Sequence, residues 1–220
     1  MRVEIWFDVV CPWCYLGKTR FERALESFEH RDQVTVTYRS FELDPFADPT
    51  QTLRTVDVLA AKYGMSPEQA KASQRQMEER AAADGLRFAM DGLRSGNTRN
   101  AHRLIHLAAD RGLQAELADR LFRAYFTEQA SVFDRDSLTE LATGVGLDRD
   151  EVLAVLAGDR YADAVQTDQE MARVLGATGV PLFVLDRRYG VSGAQPAEVM
   201  TEALRRAWSD SSPTSAAPPG

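Results

Sequence analysis

Cys11 and Cys14 are the only cysteines in a chain of 220 residues, and only Pro12 and Trp13 separate them. Their surroundings narrow the fold more than any other feature. Val3 to Val9 mix β-branched and aromatic side chains, the pattern of a strand buried on both faces. Pro12 suits the first turn of a helix, where its missing N–H is not needed, and Leu16, Phe21, Leu25 and Phe28 follow at near-helical spacing. The dithiol therefore stands where a strand passes into a helix. There the unpaired N–H groups and the positive end of the helix dipole favour a thiolate at Cys11, the form that attacks a disulfide. Cys14, one turn further in, is expected to be less exposed and to resolve a mixed disulfide formed at Cys11. An inert core pair and half of a metal site are the alternatives.

The rest of the chain supplies a frame for that unit. Gln33 to Phe41 alternates Val34, Val36 and Tyr38 with polar residues, a second strand, so the chain opens β-α-β. Asp44 to Pro49 breaks regular structure, and beyond it strand-like alternation disappears. Helices are expected over Thr52 to Tyr63, Pro67 to Ala83, Thr98 to Arg111, Gln114 to Glu128, Ser137 to Val145, Arg149 to Ala157 and Tyr161 to Leu175. Ser66-Pro67-Glu68 and Asp136-Ser137 are their start signals, and Gly64, Gly112, Gly146 and Gly158 their stops. Leu182 to Asp186 and Tyr189 to Ser192 form a hairpin across Arg187-Arg188, and Pro196 opens a last helix through Trp208. The expected organisation is an α/β domain from residues 1–45 and 177–208, split by an all-helical insertion over 46–176. Residues 209–220 lack apolar anchors and are expected to be disordered.

Composition excludes several function classes. Hydrophobic residues make up 44% and charged residues 27%, ordinary values for a globular protein, and no apolar run reaches membrane-spanning length. The formal charge of -7, with both signs interspersed, offers no basic face for a nucleic acid. The strand beginning at Val3 leaves no room for a secretory leader, so the expected compartment is the cytoplasm. Thiols are kept reduced there, which favours a catalytic, redox-sensing or metal-binding use of the cysteines over a structural one. His102 and His106, spaced i, i+4, are the argument for a zinc site, but they lie far from the cysteines compared with the spacing in a zinc finger, and no metal is expected.

Three further motifs accompany the dithiol: Asn97-Thr98-x-x-Ala101-His102-Arg103-Leu104, Gly179-Val180-Pro181-x-Phe183, and Ser192-Gly193-Ala194-Gln195-Pro196. Together with Phe7-Asp8-x-x-Cys11-Pro12-Trp13-Cys14-Tyr15-x-Gly17, the sequence resembles the DsbA family, and more narrowly its FrnE-like cytoplasmic branch. The resemblance implies a thioredoxin-like fold with a helical insertion and a thiol–disulfide oxidoreductase with Cys11 and Cys14 catalytic. Asp8, Pro12, Trp13, Val180 and Pro181 would support the active site. It implies a cis peptide before Pro181, with the Val180 backbone beside the dithiol for a substrate strand, and Asn97 and His102 facing a substrate cleft. Asp8 either tunes Cys11 and relays protons or caps the approach to the helix. The implied partner is a protein or small-molecule thiol or disulfide, with glutathione as a co-substrate and no other cofactor. The branch is associated with polyketide biosynthesis. It is also similar to 2-hydroxychromene-2-carboxylate isomerases and kappa-class glutathione transferases, which generally carry serine where this chain has Cys11 and an acidic residue where it has Gln195. Both departures argue against that alternative.

Overall fold

The computed structural model describes residues 1–211. β1 (Arg2–Phe7), α1 (Pro12–Glu26) and β2 (Thr35–Ser40) open the chain. β3 (Leu53–Arg54), α2 (Thr55–Tyr63), α3 (Pro67–Ala83), β4 (Arg94–Ser95), α4 (Arg99–Asp110), α5 (Gln114–Phe126), α6 (Arg135–Gly144), α7 (Arg149–Ala157) and α8 (Ala162–Val174) follow, and β5 (Leu182–Leu185), β6 (Tyr189–Ser192) and α9 (Ala197–Ser211) close it. The main sheet runs β2-β1-β5-β6. β1 and β2 are parallel, which requires a crossover, and α1 is that crossover; the other pairs are antiparallel. This is a thioredoxin-like sheet interrupted by a mostly helical insertion.

Alternation along β1 explains how the sheet is covered. Val3, Ile5 and Phe7 enter the large core with Leu16 and Phe21 of α1, while Trp6 packs with Leu182, Val184 and Ala172 of α8 on the other face. Glu4 shares the Trp6 face and is 3% exposed. Burial opposes its ionisation, but the guanidinium groups of Arg39, Arg187 and Arg2 outweigh that and hold its carboxyl below the ordinary range. The large core continues without a break into the insertion, where Leu104, Ile105, Leu117 and Phe122 join it.

Local signals set most boundaries. Ser66 and Gln69 form a reciprocal capping box at α3, and Gly64 closes α2 in the left-handed region at φ 62°. Three expectations need correction. The insertion is not all helical: Leu53 pairs with Ser95 and Arg54 with Arg94 in a two-residue antiparallel ladder, too short to show alternation in the sequence. α6 begins earlier than expected, because Asp134 rather than Asp136 caps it, accepting from the Ser137 N–H. α9 runs on to Ser211, because the β5–β6 hairpin holds its end: Arg188 donates to the Asp210 carbonyl at 2.9 Å and Ser211 Oγ to Asp186 at 2.8 Å. The disorder expected for 212–220 lies outside the described residues.

Candidate active site

Cys11 is the N-cap of α1 and Pro12 its first residue. The Cys11 N–H donates to the Asp8 carbonyl at 3.1 Å, and the Cys11 carbonyl accepts from the Cys14 N–H at 3.0 Å, so a tight turn carries the chain from β1 into the helix. Both cysteines are free thiols. Cys11 is 4% exposed and Cys14 1%, so the order of exposure is as expected, although Cys11 is more enclosed than a helix start implies. The cause is the segment before β5. The Val180–Pro181 peptide is cis, and the Cys11 sulfur lies 3.7 Å from the Val180 carbonyl oxygen. Burial, reinforced by the neighbouring Cys11, pushes the Cys14 thiol well up.

Trp13 is 40% exposed beside these buried sulfurs, with the Arg80 guanidinium of α3 at 5.4 Å from its ring centroid. Tyr15 stacks on Phe122 of α5 at 4.8 Å and on Phe88 at 5.5 Å. The insertion thus grips the helix that bears the dithiol. Gly17 performs the complementary task on the opposite side. A Cβ there would lie 2.8 Å from the Pro181 ring and 3.4 Å from Ala194, so the missing side chain lets α1 and the Pro181 segment touch. Arg20 closes the same seam by donating to the Ala194 carbonyl at 2.7 Å. Gly17→Ala is therefore expected to lower stability by about 1–3 kcal/mol through overpacking. It should also slow thiol exchange by displacing Pro181 from the dithiol. A urea titration and a stopped-flow thiol assay measure the two effects, and a variant matching the wild type in both would mean that the seam yields freely.

The remaining residues of interest fall into two groups. His102 is fully buried rather than at an open cleft, because the strongly amphipathic α4 turns it inward. Its ring lies 5.5 Å edge-on from Phe7, and Nε2 is 3.4 Å from Asp8 Oδ1. The other Asp8 oxygen accepts from the Leu43 N–H at 2.8 Å. Asn97 instead serves the backbone: its amide donates to the Ala47 carbonyl at 3.1 Å and its oxygen accepts from the Arg99 N–H at 3.0 Å. His106 is separate again, 3.1 Å from both Ser40 Oγ and Asp168 Oδ2. The two histidines thus face different carboxylates, and among the described residues no group of three or more His, Cys, Asp or Glu side chains is arranged to hold a metal. Gly17 and Arg80 had no role assigned from sequence. A glycine two turns into a predicted helix was the signal for the first, and nothing local marks the second.

These features coincide with a known domain: a sequence model of the DsbA-like thioredoxin domain matches residues 2–205. The chain belongs to the DsbA-like family. Its fold is similar, with TM-score 0.93 and 52% identity over 99% of this chain and 94% of the other, to a structure described as a probable DsbA oxidoreductase, SCO1869 of Streptomyces coelicolor. A 2-hydroxychromene-2-carboxylate isomerase superposes with TM-score 0.69 at 18% identity, covering 97% of this chain and all, 100%, of that one. The cytosolic disulfide reductase DsbM of Pseudomonas aeruginosa, solved with glutathione, gives TM-score 0.65 at 18% identity over 95% and 100%. At 18% identity the last two likenesses speak to the DsbA-like fold alone.

Proposed function

We propose that this DsbA-like protein is a thiol–disulfide oxidoreductase in which Cys11 attacks the substrate disulfide and Cys14 resolves the mixed disulfide. The observation that carries the reading is the Cys11 sulfur, held at the start of α1 and 3.7 Å from the Val180 carbonyl, with a second, more deeply buried thiol one turn behind it. An extended substrate segment laid against Val180 would bring its sulfur to Cys11, with Pro12, Trp13 and Pro181 bordering the approach. Disulfide exchange in the cytosol, with glutathione as a co-substrate, is part of this reading. The substrate class is a protein or small-molecule disulfide. The isomerase alternative has less support, since the Gln195 amide is tied to the Ser192 carbonyl at 2.9 Å and offers no acidic group.

Alkylation order tests the assignment. In the reduced protein at mildly acidic pH, Cys11 is expected to react with substoichiometric iodoacetamide at least about tenfold faster than Cys14, because a thiol pushed up by burial forms little thiolate. Peptide mapping by mass spectrometry gives the ratio. Preferential modification of Cys14 would reverse the two roles.

A further inference from the structure

Arg80 stands beside the dithiol helix without an anion of its own. It lies exposed in the last turn of α3, with its guanidinium 5.4 Å from the Trp13 ring centroid. Its neighbours on the same helix face are Gln76, Met77, Ala83 and Asp84, so Asp84 is the carboxylate that the helix offers it. That group is already taken: Arg20 and Arg23 of α1 hold it at 2.7 Å and 3.0 Å. Glu78 turns instead to the Met90 N–H at 2.6 Å, and Glu79, adjacent in sequence, does not share the Arg80 face. Among the described residues no carboxylate forms an ion pair with Arg80. Three guanidinium groups are thus set against one carboxylate where α3 meets α1, a local excess of positive charge in a chain of net charge -7.

A cation in the last turn of a helix suits the helix dipole wherever in that turn it stands. That preference does not account for a position over Trp13, which lies between the two cysteines in sequence and is 40% exposed, whereas Cys11 is 4% exposed. The ring is the accessible surface beside a sulfur that is itself enclosed. A guanidinium over an aromatic face is attracted to the ring while its coplanar N–H groups remain able to form a forked pair with a carboxylate.

We propose that Arg80, held over Trp13, binds a carboxylate that the substrate carries next to its reacting disulfide, so that the dithiol prefers acidic disulfides. The proposal rests on the oxidoreductase reading and names a substrate class within it. The carboxylate belongs either to an Asp or Glu flanking a peptide cystine or to a small carboxylated disulfide; the recognition chemistry is the same. Arg20 and Arg23, occupied by Asp84, contribute only their field, which draws an anion toward this side of α1. Because Arg80 is exposed, the pair it forms is a surface ion pair, modest in size and screened by salt.

The test is a single-turnover reaction of the reduced protein with two matched pairs of disulfides. One pair is a peptide cystine flanked by Glu or by Gln, and the other is a small aromatic disulfide with or without carboxylates. Each rate is divided by that of a neutral free thiol with the same disulfide. The wild type is expected to favour the acidic member of at least one pair by about fivefold, the upper end for an exposed ion pair. Arg80→Gln should abolish that preference, and about 1 M salt should shrink it in the wild type. A preference confined to the peptides assigns the carboxylate to a flanking residue, and one confined to the aromatic pair assigns it to a small molecule. An unchanged ratio in Arg80→Gln, whether its rates match the wild type's or fall together, overturns the proposal and leaves Arg80 as a support for the Trp13 ring. A wild type indifferent to the carboxylate in both pairs, or a preference undiminished by salt, overturns it as well. If the wild type reduces none of the four disulfides, the oxidoreductase reading itself falls.

Discussion

Cys14→Ser is expected to stop turnover after its first half, leaving the protein covalently bound to substrate through Cys11. In the proposed mechanism the sulfur beside Val180 meets the substrate and the more deeply buried one resolves the adduct. Serine has no sulfur with which to displace the substrate, so the mixed disulfide persists until an external thiol removes it. Steady-state disulfide exchange should fall on the order of a thousandfold or more, as it does when one member of a cooperating catalytic set is removed. The adduct should appear by mass spectrometry at the mass of protein plus substrate thiol. Cys11→Ser should lose the same activity with no adduct, while its melting curve stays near that of the wild type, since one sulfur-to-oxygen exchange removes little packing. Full activity on the natural substrate in Cys11→Ser, or glutathione-dependent isomerisation equal to the wild type's, would replace the oxidoreductase reading with the isomerase one.

A comparable effect on stability is expected far from the sulfurs. Asp168 on α8 is 4% exposed, accepts from the Ser40 N–H at 2.9 Å and from Arg39 at 3.2 Å, and lies 3.1 Å from His106 Nε2. Its own carbonyl accepts from the Trp6 indole at 2.8 Å. This single residue ties α8 to β1, β2 and α4. Asp168→Ala would leave the Ser40 N–H, the His106 ring and part of the Arg39 charge without their acceptor in a closed interface. Truncating one side of such a buried network costs about 3–5 kcal/mol. Arg39 keeps Glu4 as a partner at 2.6 Å, which places the expected loss toward the lower end. Asp168→Asn retains an oxygen and should lose about half as much, in line with the ~1.5–3 kcal/mol of a hydrogen bond to a charged group. Urea unfolding monitored through tryptophan fluorescence measures both, and an alanine variant as stable as the wild type would show that solvent enters and replaces the carboxylate.

The contrast between these sites shows what could be read from the chain and what could not. Pro67 to Ala83, Arg149 to Ala157 and Tyr189 to Ser192 appear with the expected ends because proline, capping residues, glycine and the period of apolar residues act within a few positions. The same locality places the dithiol at a strand-to-helix junction, and the four motifs together imply the DsbA-like family. The β3–β4 ladder escaped because two residues carry no periodicity. His102 turns into the core beside Asp8 instead of facing an open cleft, since amphipathicity orients a helix only once its packing partner is known.

Sequence by itself determined the β-α-β and β-β-α halves, the helical character of most of what separates them, and the position of the two cysteine sulfurs at a strand-to-helix junction. Tertiary structure alone decided that Gly17 touches Pro181, that Arg80 lies over the Trp13 ring, and that His102 and His106 part company toward Asp8 and Asp168. The physical reason is range. Turn and helix preferences are set by neighbours along the chain, whereas these contacts join distant segments whose meeting depends on the closure of long loops and the filling of one shared core.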